Sequence, residues 1–417
     1  MGVLLLGADY YGTLAAARAY GNAKLKVTMA DEHRQARALY SRHVSARLVH
    51  PPLSKPKELI DWLVDFGTKH PGMLLYPPND HLSWLFAAER DRLSKAFALF
   101  SPPEEAVLSL LDKKRLHAVC AEVGIDAPLT LDASEVANGS ASSPTFPVLV
   151  KPRTQVFLTS GIKGFIARDA VELEAELRRF RELVAFDRVL SDRYPDIAEP
   201  MLQEYLTAAE TNIFSVSGFV TKDGSILARG AMKVLQRPRK VGIGLCFEGR
   251  PTDGALVDKL AALTAKVGYY GAFEAEFIVH GDKRLLIDFN PRFYSQMAFD
   301  IARGLSLPML VWHAANGDEP QMNRELERAR AWQGTGEEVY CHKTMLDLVL
   351  TLQGASGQMK REEVRRWRSW YATHRRTATD AVRDPDDRMP AIIDAAQWVR
   401  HFARHPRSFL RSFVMNR

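Results

Sequence analysis

The sequence predicts a mixed α/β and α+β chain, on three observations. Short apolar runs alternate with helical periodicity over residues 1–100, paired strand-like runs dominate 201–320, and an Arg- and Trp-rich helical region closes the chain at 321–417. With 417 residues, 46% of them hydrophobic, the chain has enough apolar material for two or three packed domains.

Taken in order, 3–6 reads as an apolar strand, 12–20 as a helix and 25–29 as a second strand. After a proline-marked turn at 51–56, residues 57–70 have helical periodicity and 73–76 form a third strand. Strands alternating with helices imply a parallel sheet covered on both faces, so 1–100 is expected to be an open parallel α/β domain. Residues 101–200 open with two helices, 103–110 and 112–124, the second closed by Gly124. A buried strand, FPVLVK, ends on Lys151, and 169–186 is a charged amphipathic helix. From 201 the pattern turns to strands, with a hairpin turn at Lys222-Asp223-Gly224, a helix over 252–267 and a last hairpin around His280-Gly281-Asp282. The region 321–417 reads as helical, with breaks at 354–357 and 384–390, and no internal repeat is visible.

The formal charge of +6 belongs to the tail. Residues 360–417 hold 14 Lys/Arg against 7 Asp/Glu, whereas the preceding 359 hold 42 against 43. That distribution argues against a nucleic-acid partner. Three cysteines, Cys120, Cys246 and Cys341, are far apart and lack metal-ligand spacing. Without a basic n-region or a long apolar run, a cytoplasmic location is expected.

Chemistry concentrates in 271–293, GAFEAEF followed by LLIDFNPRF. Asp288 and Asn290 are two apart and share a strand face, and the hairpin brings Glu276 beside them. Three oxygen donors on a sheet suit Mg²⁺, which takes its other ligands from water and phosphate. Arg292 has the fork to bind a phosphate or acyl-phosphate oxygen. The competing reading is an ordinary hairpin with an Asp288–Arg292 salt bridge. The run D-F-N-P-R resembles the metal-binding hairpin of the ATP-grasp superfamily, with Asp288 where that family mostly has Glu.

The resemblance implies an ATP-grasp fold with an N-terminal pre-ATP-grasp domain (1–100), two ATP-grasp lobes (101–200 and 201–320) and a helical C-terminal extension (321–417). It implies ATP with Mg²⁺, or Mn²⁺ in its place, and carries roles residue by residue. Lys113 and Lys151 would contact phosphates. Ser160, Gly161, Lys163 and Gly164 match part of a glycine-rich flap in a loop that is longer and more apolar than usual. Gln203, Glu204, Tyr205 and Leu206 resemble the adenine hinge, and Glu210 the ribose contact. Lys233 would face the γ-phosphate, with Arg292 as its catalytic companion. Glu276, Asp288 and Asn290 would hold the metal. Arg237, Arg239 and Lys240 are either substrate-loop cations or a solvated turn.

The N-terminal loop Gly7–Thr13 lacks both the G-x-G-x-x-G spacing and a P-loop lysine. Asn79-Asp80-His81 is expected to line the second-substrate cleft, with helix capping the favoured role for Asp80. The layout resembles the D-aspartate-ligase-like carboxylate–amine ligases. The implied activity forms an amide from a small carboxylate and an amine through an acyl phosphate, releasing ADP and phosphate. An ATP-grasp carboxylase or carbamoyl-phosphate-type enzyme is the alternative, although the E-R-x-C-S-x-Q-R-R signature of biotin carboxylases is missing from the sequence. A catalytically inactive nucleotide-binding regulatory module is the other. A homodimer fits the same family. The basic tail is expected to pack on the enzyme, with peripheral membrane contact as the less favoured reading.

Overall fold

A computed structural model describes residues 2–140, 143–237 and 243–413. Among them, three sheets organise the chain. The first is parallel, in the order β3-β2-β1-β4-β5, built from β1 (Gly2–Leu6), β2 (Lys26–Asp31), β3 (Val44–Val49), β4 (Leu74–Leu75) and β5 (Ala98–Leu99). Its alternation divides two cores. Val3 and Leu5 pack with the helix Tyr11–Asn22, while Leu4 and Leu6 face Leu59, Ile60 and Leu63 of Pro56–Lys69 and Leu82 of Asp80–Ala88.

The second sheet has four strands, β6 (Thr130–Asp132), β7 (Val148–Lys151), β8 (Phe165–Ala167) and β9 (Met201–Glu204), in the order β6-β9-β7-β8. Val148, Val150 and Leu202 bury one face beneath Leu173 and Phe180 of the helix Ala170–Leu183. Lys151 and Gln203 therefore occupy the opposite face.

The third sheet is built from β10 (Ile213–Val220), β11 (Ile226–Arg237), β12 (Ile243–Arg250), β13 (Gly271–His280), β14 (Lys283–Asn290), β15 (Val339–Cys341) and β16 (Thr379–Asp380). Its order is β14-β13-β10-β11-β12-β15-β16. Phe214, Val216, Phe273, Ala275, Phe277 and Phe289 cover one face against the helices Lys113–Val123 and Gly254–Val267. Both helices end on a left-handed glycine, Gly124 at φ +70° and Gly268 at φ +73°.

The region 321–417, expected to be mostly helical, is so among the described residues but also contributes two short strands. Five helices lie in or across it, Glu319–Ala331, Lys343–Ala355, Arg361–His374, Met389–Arg404 and Pro406–Phe413. It also gives the large sheet β15, antiparallel to β12, and β16, parallel to β15. A three-residue strand is too short to show a period of two, which is why helical periodicity dominates the sequence there. β3, β12 and the short β5, β6 and β8 likewise go beyond the expected strands.

Candidate functional site

The strand register sets the site. Glu276 stands directly opposite Asp288, and Glu274 opposite Asn290, on one face of the β13–β14 hairpin. An extra residue between Leu286 and Asp288 makes a bulge beside Glu276 and keeps both carboxylates on that face. Across β10, Ser215 and Ser217 continue the same row, and Lys233 projects from β11.

Three cations meet these oxygens and a fourth, Lys151, stands nearby. Lys113 Nζ lies 2.6 Å from Asp288 Oδ1. Lys113 opens its helix behind Asp112, whose side chain caps the Lys114 amide at 3.0 Å and is fully buried against Arg153. Lys114 itself pairs outward with Asp132. Lys233 pairs with Glu276. Lys151 donates to Gln203 Oε1 at 2.9 Å. Arg292 donates to Asn290 Oδ1 at 2.7 Å and to Asp80 Oδ1 at 2.5 Å.

The electrostatics follow from these partners. Burial works against the charged forms of Lys113 and Lys233, but Asp288 and Glu276 respectively outweigh it and hold both lysines above the usual lysine range. Burial pushes Asp288 up, while Lys113 and the neighbouring cations more than reverse this, leaving it low. Lys151 has a neutral partner, so burial and the nearby Lys113 bring it down to about 7.

Some site residues escaped the sequence reading. Glu274 is buried, accepts from Ser215 Oγ at 2.7 Å, from Asn290 Nδ2 at 3.3 Å and from Gln296, and burial with the adjacent Glu276 raises it to about 7. The alternation in GAFEAEF held the signal, since Glu274 and Glu276 must share a face. His117, one turn after Lys113, places Nδ1 3.0 Å from Thr130 Oγ1, and burial then Lys151 lower its pKa to about 3. The cap of the helix Asp80–Ala88 is Asn79, which accepts from the Leu82 amide at 2.9 Å; Asp80 instead ion-pairs with Arg292. The competing reading, an Asp288–Arg292 salt bridge, is not what forms: Asp288 pairs with Lys113 and Arg292 with Asp80.

The loop after Lys151 divides in two. Its first half is anchored: Arg153 and Thr154 are buried, and Val156 and Phe157 enter the core beneath the parallel sheet. Phe157 meets Trp84 edge-on at 5.7 Å, and its amide donates to His81 Nδ1 at 2.8 Å. The second half, Ser160 to Gly164, lies outside that core, with Gly161 and Lys163 exposed. Gly161 is at φ +64° with open space around its Cα. Among the described residues, no ion pair joins Lys163 to the lysine–carboxylate cluster.

The hinge segment follows β9. Gln203 is buried and also donates to Thr130 Oγ1 at 3.3 Å. The Glu204 amide bonds Leu129 O at 2.9 Å and the Tyr205 amide Pro147 O at 3.4 Å. Leu206 packs with Ile213, Ile278 and Leu285. Glu210 ends the turn Thr207–Glu210, where its carbonyl accepts from Gln236 Nε2 at 3.4 Å. Arg237 is committed to Glu363 at 3.1 Å, and Arg239 and Lys240 lie outside the described residues.

No protein-family model and no curated protein matches the sequence. Solved structures do match. An L-amino acid ligase from Bacillus licheniformis aligns at TM-score 0.55 and 12% identity, covering 76% of this chain and 74% of that one. The biotin carboxylase–βγ-ATP complex from Campylobacter jejuni aligns at 0.59 and 15%, covering 76% and 71%. The biotin carboxylase domain of the Hydrogenobacter thermophilus 2-oxoglutarate carboxylase, a dimer with MgADP, ADP and bicarbonate, aligns at 0.58 and 16%, covering 76% and 70%. The chain therefore has the ATP-grasp fold.

Proposed function

We propose that the chain is an ATP-dependent carboxylate–amine ligase working through an acyl phosphate. The observation that carries this reading is the convergence of Lys113, Lys151, Lys233 and Arg292 on the face that presents Glu276, Asp288 and Asn290. Four cations gathered from four segments of chain and largely withdrawn from water are costly unless a polyanion uses them. A nucleotide triphosphate is such a ligand.

The donor set fits magnesium bound together with phosphate. Glu276 and Asp288 face each other across the register, both are hard oxygen donors, and the two lysine ammoniums stand beside them as surrogate cations. When bound, magnesium would neutralise phosphate charge; Glu276, Asp288 and Asn290 would hold it.

In the first step a substrate carboxylate oxygen attacks the γ-phosphorus, the bond to the β,γ-bridging oxygen breaks, and ADP leaves. Lys113 and Lys151 hold phosphate oxygens as point charges, while Lys233 and Arg292 stabilise the transferring group. An amine lone pair then attacks the acyl carbon, the carbon–oxygen bond to phosphate breaks, and the amine gives up a proton. Gln203–Leu206 would wall the adenine, Glu210 would accept from ribose, and Ser160, Gly161 and Lys163 would close over the phosphates. The likeness to an L-amino acid ligase supports the ligase chemistry at the level of fold.

The test is ADP formation with pooled small carboxylates and amines, with products read by mass spectrometry. An ATP-dependent amide is the expected product. ADP formation with bicarbonate and no amide would assign the chain to carboxylase-type chemistry. Magnesium–ATP binding without phosphate release would assign it to a regulatory module.

A further inference from the structure

The C-terminal helix Met389–Arg404 has one face committed to the protein and another left outward. Inward, Asp394 pairs with Arg37 at 2.6 Å, Gln397 donates to Asp9 Oδ1 at 2.9 Å, and Trp398 meets Phe413 edge-on at 5.4 Å. Outward runs an apolar stripe at helical spacing: Met389 is 46% exposed, Ile392 56%, Val399 70% and Phe402 47%. Beyond Pro406, Leu410 adds a further apolar side chain, 43% exposed. No other part of the described surface gathers as many exposed large hydrophobic side chains on one element.

The exposed Asp386 lies just before Met389, but from there on the exposed charge along the helix and beyond it has one sign. Between Met389 and Arg417 the sole acidic residue is Asp394, and it is fully buried. Arg400 and Arg404 follow the stripe at helical spacing and Arg407 is exposed beside Leu410. We propose that this outer face is a docking surface for an anionic lipid bilayer, with the apolar stripe entering the headgroup–acyl boundary and the arginines meeting lipid phosphates. A polyanion such as nucleic acid would leave the apolar stripe unused. A second copy of the chain, seated face to face, would oppose Arg400 and Arg404 with their own equivalents. Because the helix is held from its inner side, the stripe is presented without unfolding. The proposal is independent of the ligase reading.

The test is co-sedimentation of the full chain with phosphatidylcholine vesicles, with and without phosphatidylglycerol. Binding is expected on the anionic vesicles only and should fall as salt is raised. The double variant Val399→Glu, Phe402→Glu and the double variant Arg400→Gln, Arg404→Gln should each weaken it by about tenfold or more. All four positions lie on the outer side or its border, and circular dichroism checks that the fold survives; if a variant unfolds, the lipid and salt dependence of the wild type decides. Absence of binding to anionic vesicles, or equal binding to neutral ones, overturns the proposal. So does a lipid-free dimer in analytical ultracentrifugation that the Val399→Glu, Phe402→Glu variant dissociates, which assigns the stripe to a second copy.

Discussion

Lys113 and Lys151 share one cluster and are driven in opposite directions. Burial penalises both, but Lys113 has the Asp288 carboxylate and Lys151 only the Gln203 amide oxygen. Lys151 therefore falls from the ordinary 10.5 to about 7 in the folded chain. Between these values the unfolded chain binds more protons than the folded one, so stability rises with pH across that window. The penalty of burying Lys151 is complete below pH 7. Lys151→Met should accordingly raise Tm at pH 6 and gain progressively less toward pH 9, while weakening nucleotide binding at both. A nucleotide phosphate should restore the charge on Lys151, so calorimetry in buffers of different ionisation enthalpy should show proton uptake on Mg·ATP binding above pH 7. The carboxylate side of this cluster was legible in the sequence, because E-A-E-F and D-F-N-P-R fix side-chain direction through period two; the lysines were placed only by resemblance to ATP-grasp motifs. Glu274 was equally legible by that rule. Asp80 was not: its pairing with Arg292 joins residues more than 200 apart, which no local pattern encodes.

At the scale of elements, the loop after β7 joins the four-stranded sheet to the parallel sheet. Phe157 is the pin, held between Trp84 and His81 at φ +48°, an unfavourable conformation for a bulky residue. Phe157→Ala should cost about 3 kcal/mol by the cavity it leaves, read as a lower urea midpoint. It should also free residues 155–164 to limited proteolysis. At Gly161, φ +64° places the backbone where a β-branched side chain is strained, so Gly161→Val should cost roughly 1–2 kcal/mol locally. If the tip closes over phosphates, that variant should slow turnover more than it lowers Tm. The sequence showed the loop to be long and apolar. The reason, that its apolar half belongs to another core, needed the tertiary structure. The hairpins were readable from their turns, whereas β15 and β16 are too short to leave a periodic trace.

Over the whole molecule, the C-terminal region is a brace. It pairs Asp387 with Arg18 at 2.9 Å and Asp394 with Arg37 at 2.6 Å on the parallel-sheet side, and adds β15 and β16 to the large sheet. Asp394 is fully buried, and Arg37 also stacks on Tyr11 at 4.6 Å. Asp394→Ala leaves that guanidinium only the half-exposed Asp9 carboxylate at 3.5 Å and should cost about 3 kcal/mol, measured by urea unfolding; a change under about 1 kcal/mol would put the brace elsewhere. The braced scaffold carries the lysine–carboxylate face, where the proposed ligase would use ATP to activate a carboxylate. Hydroxylamine trapping tests this most directly. With Mg·ATP and the right carboxylate, wild-type protein should yield a hydroxamate and ADP, and a folded Asp288→Ala variant should yield neither. Hydroxamate formation undiminished in Asp288→Ala, or Mg·ATP binding with no hydroxamate from any carboxylate in the pool, would contradict it.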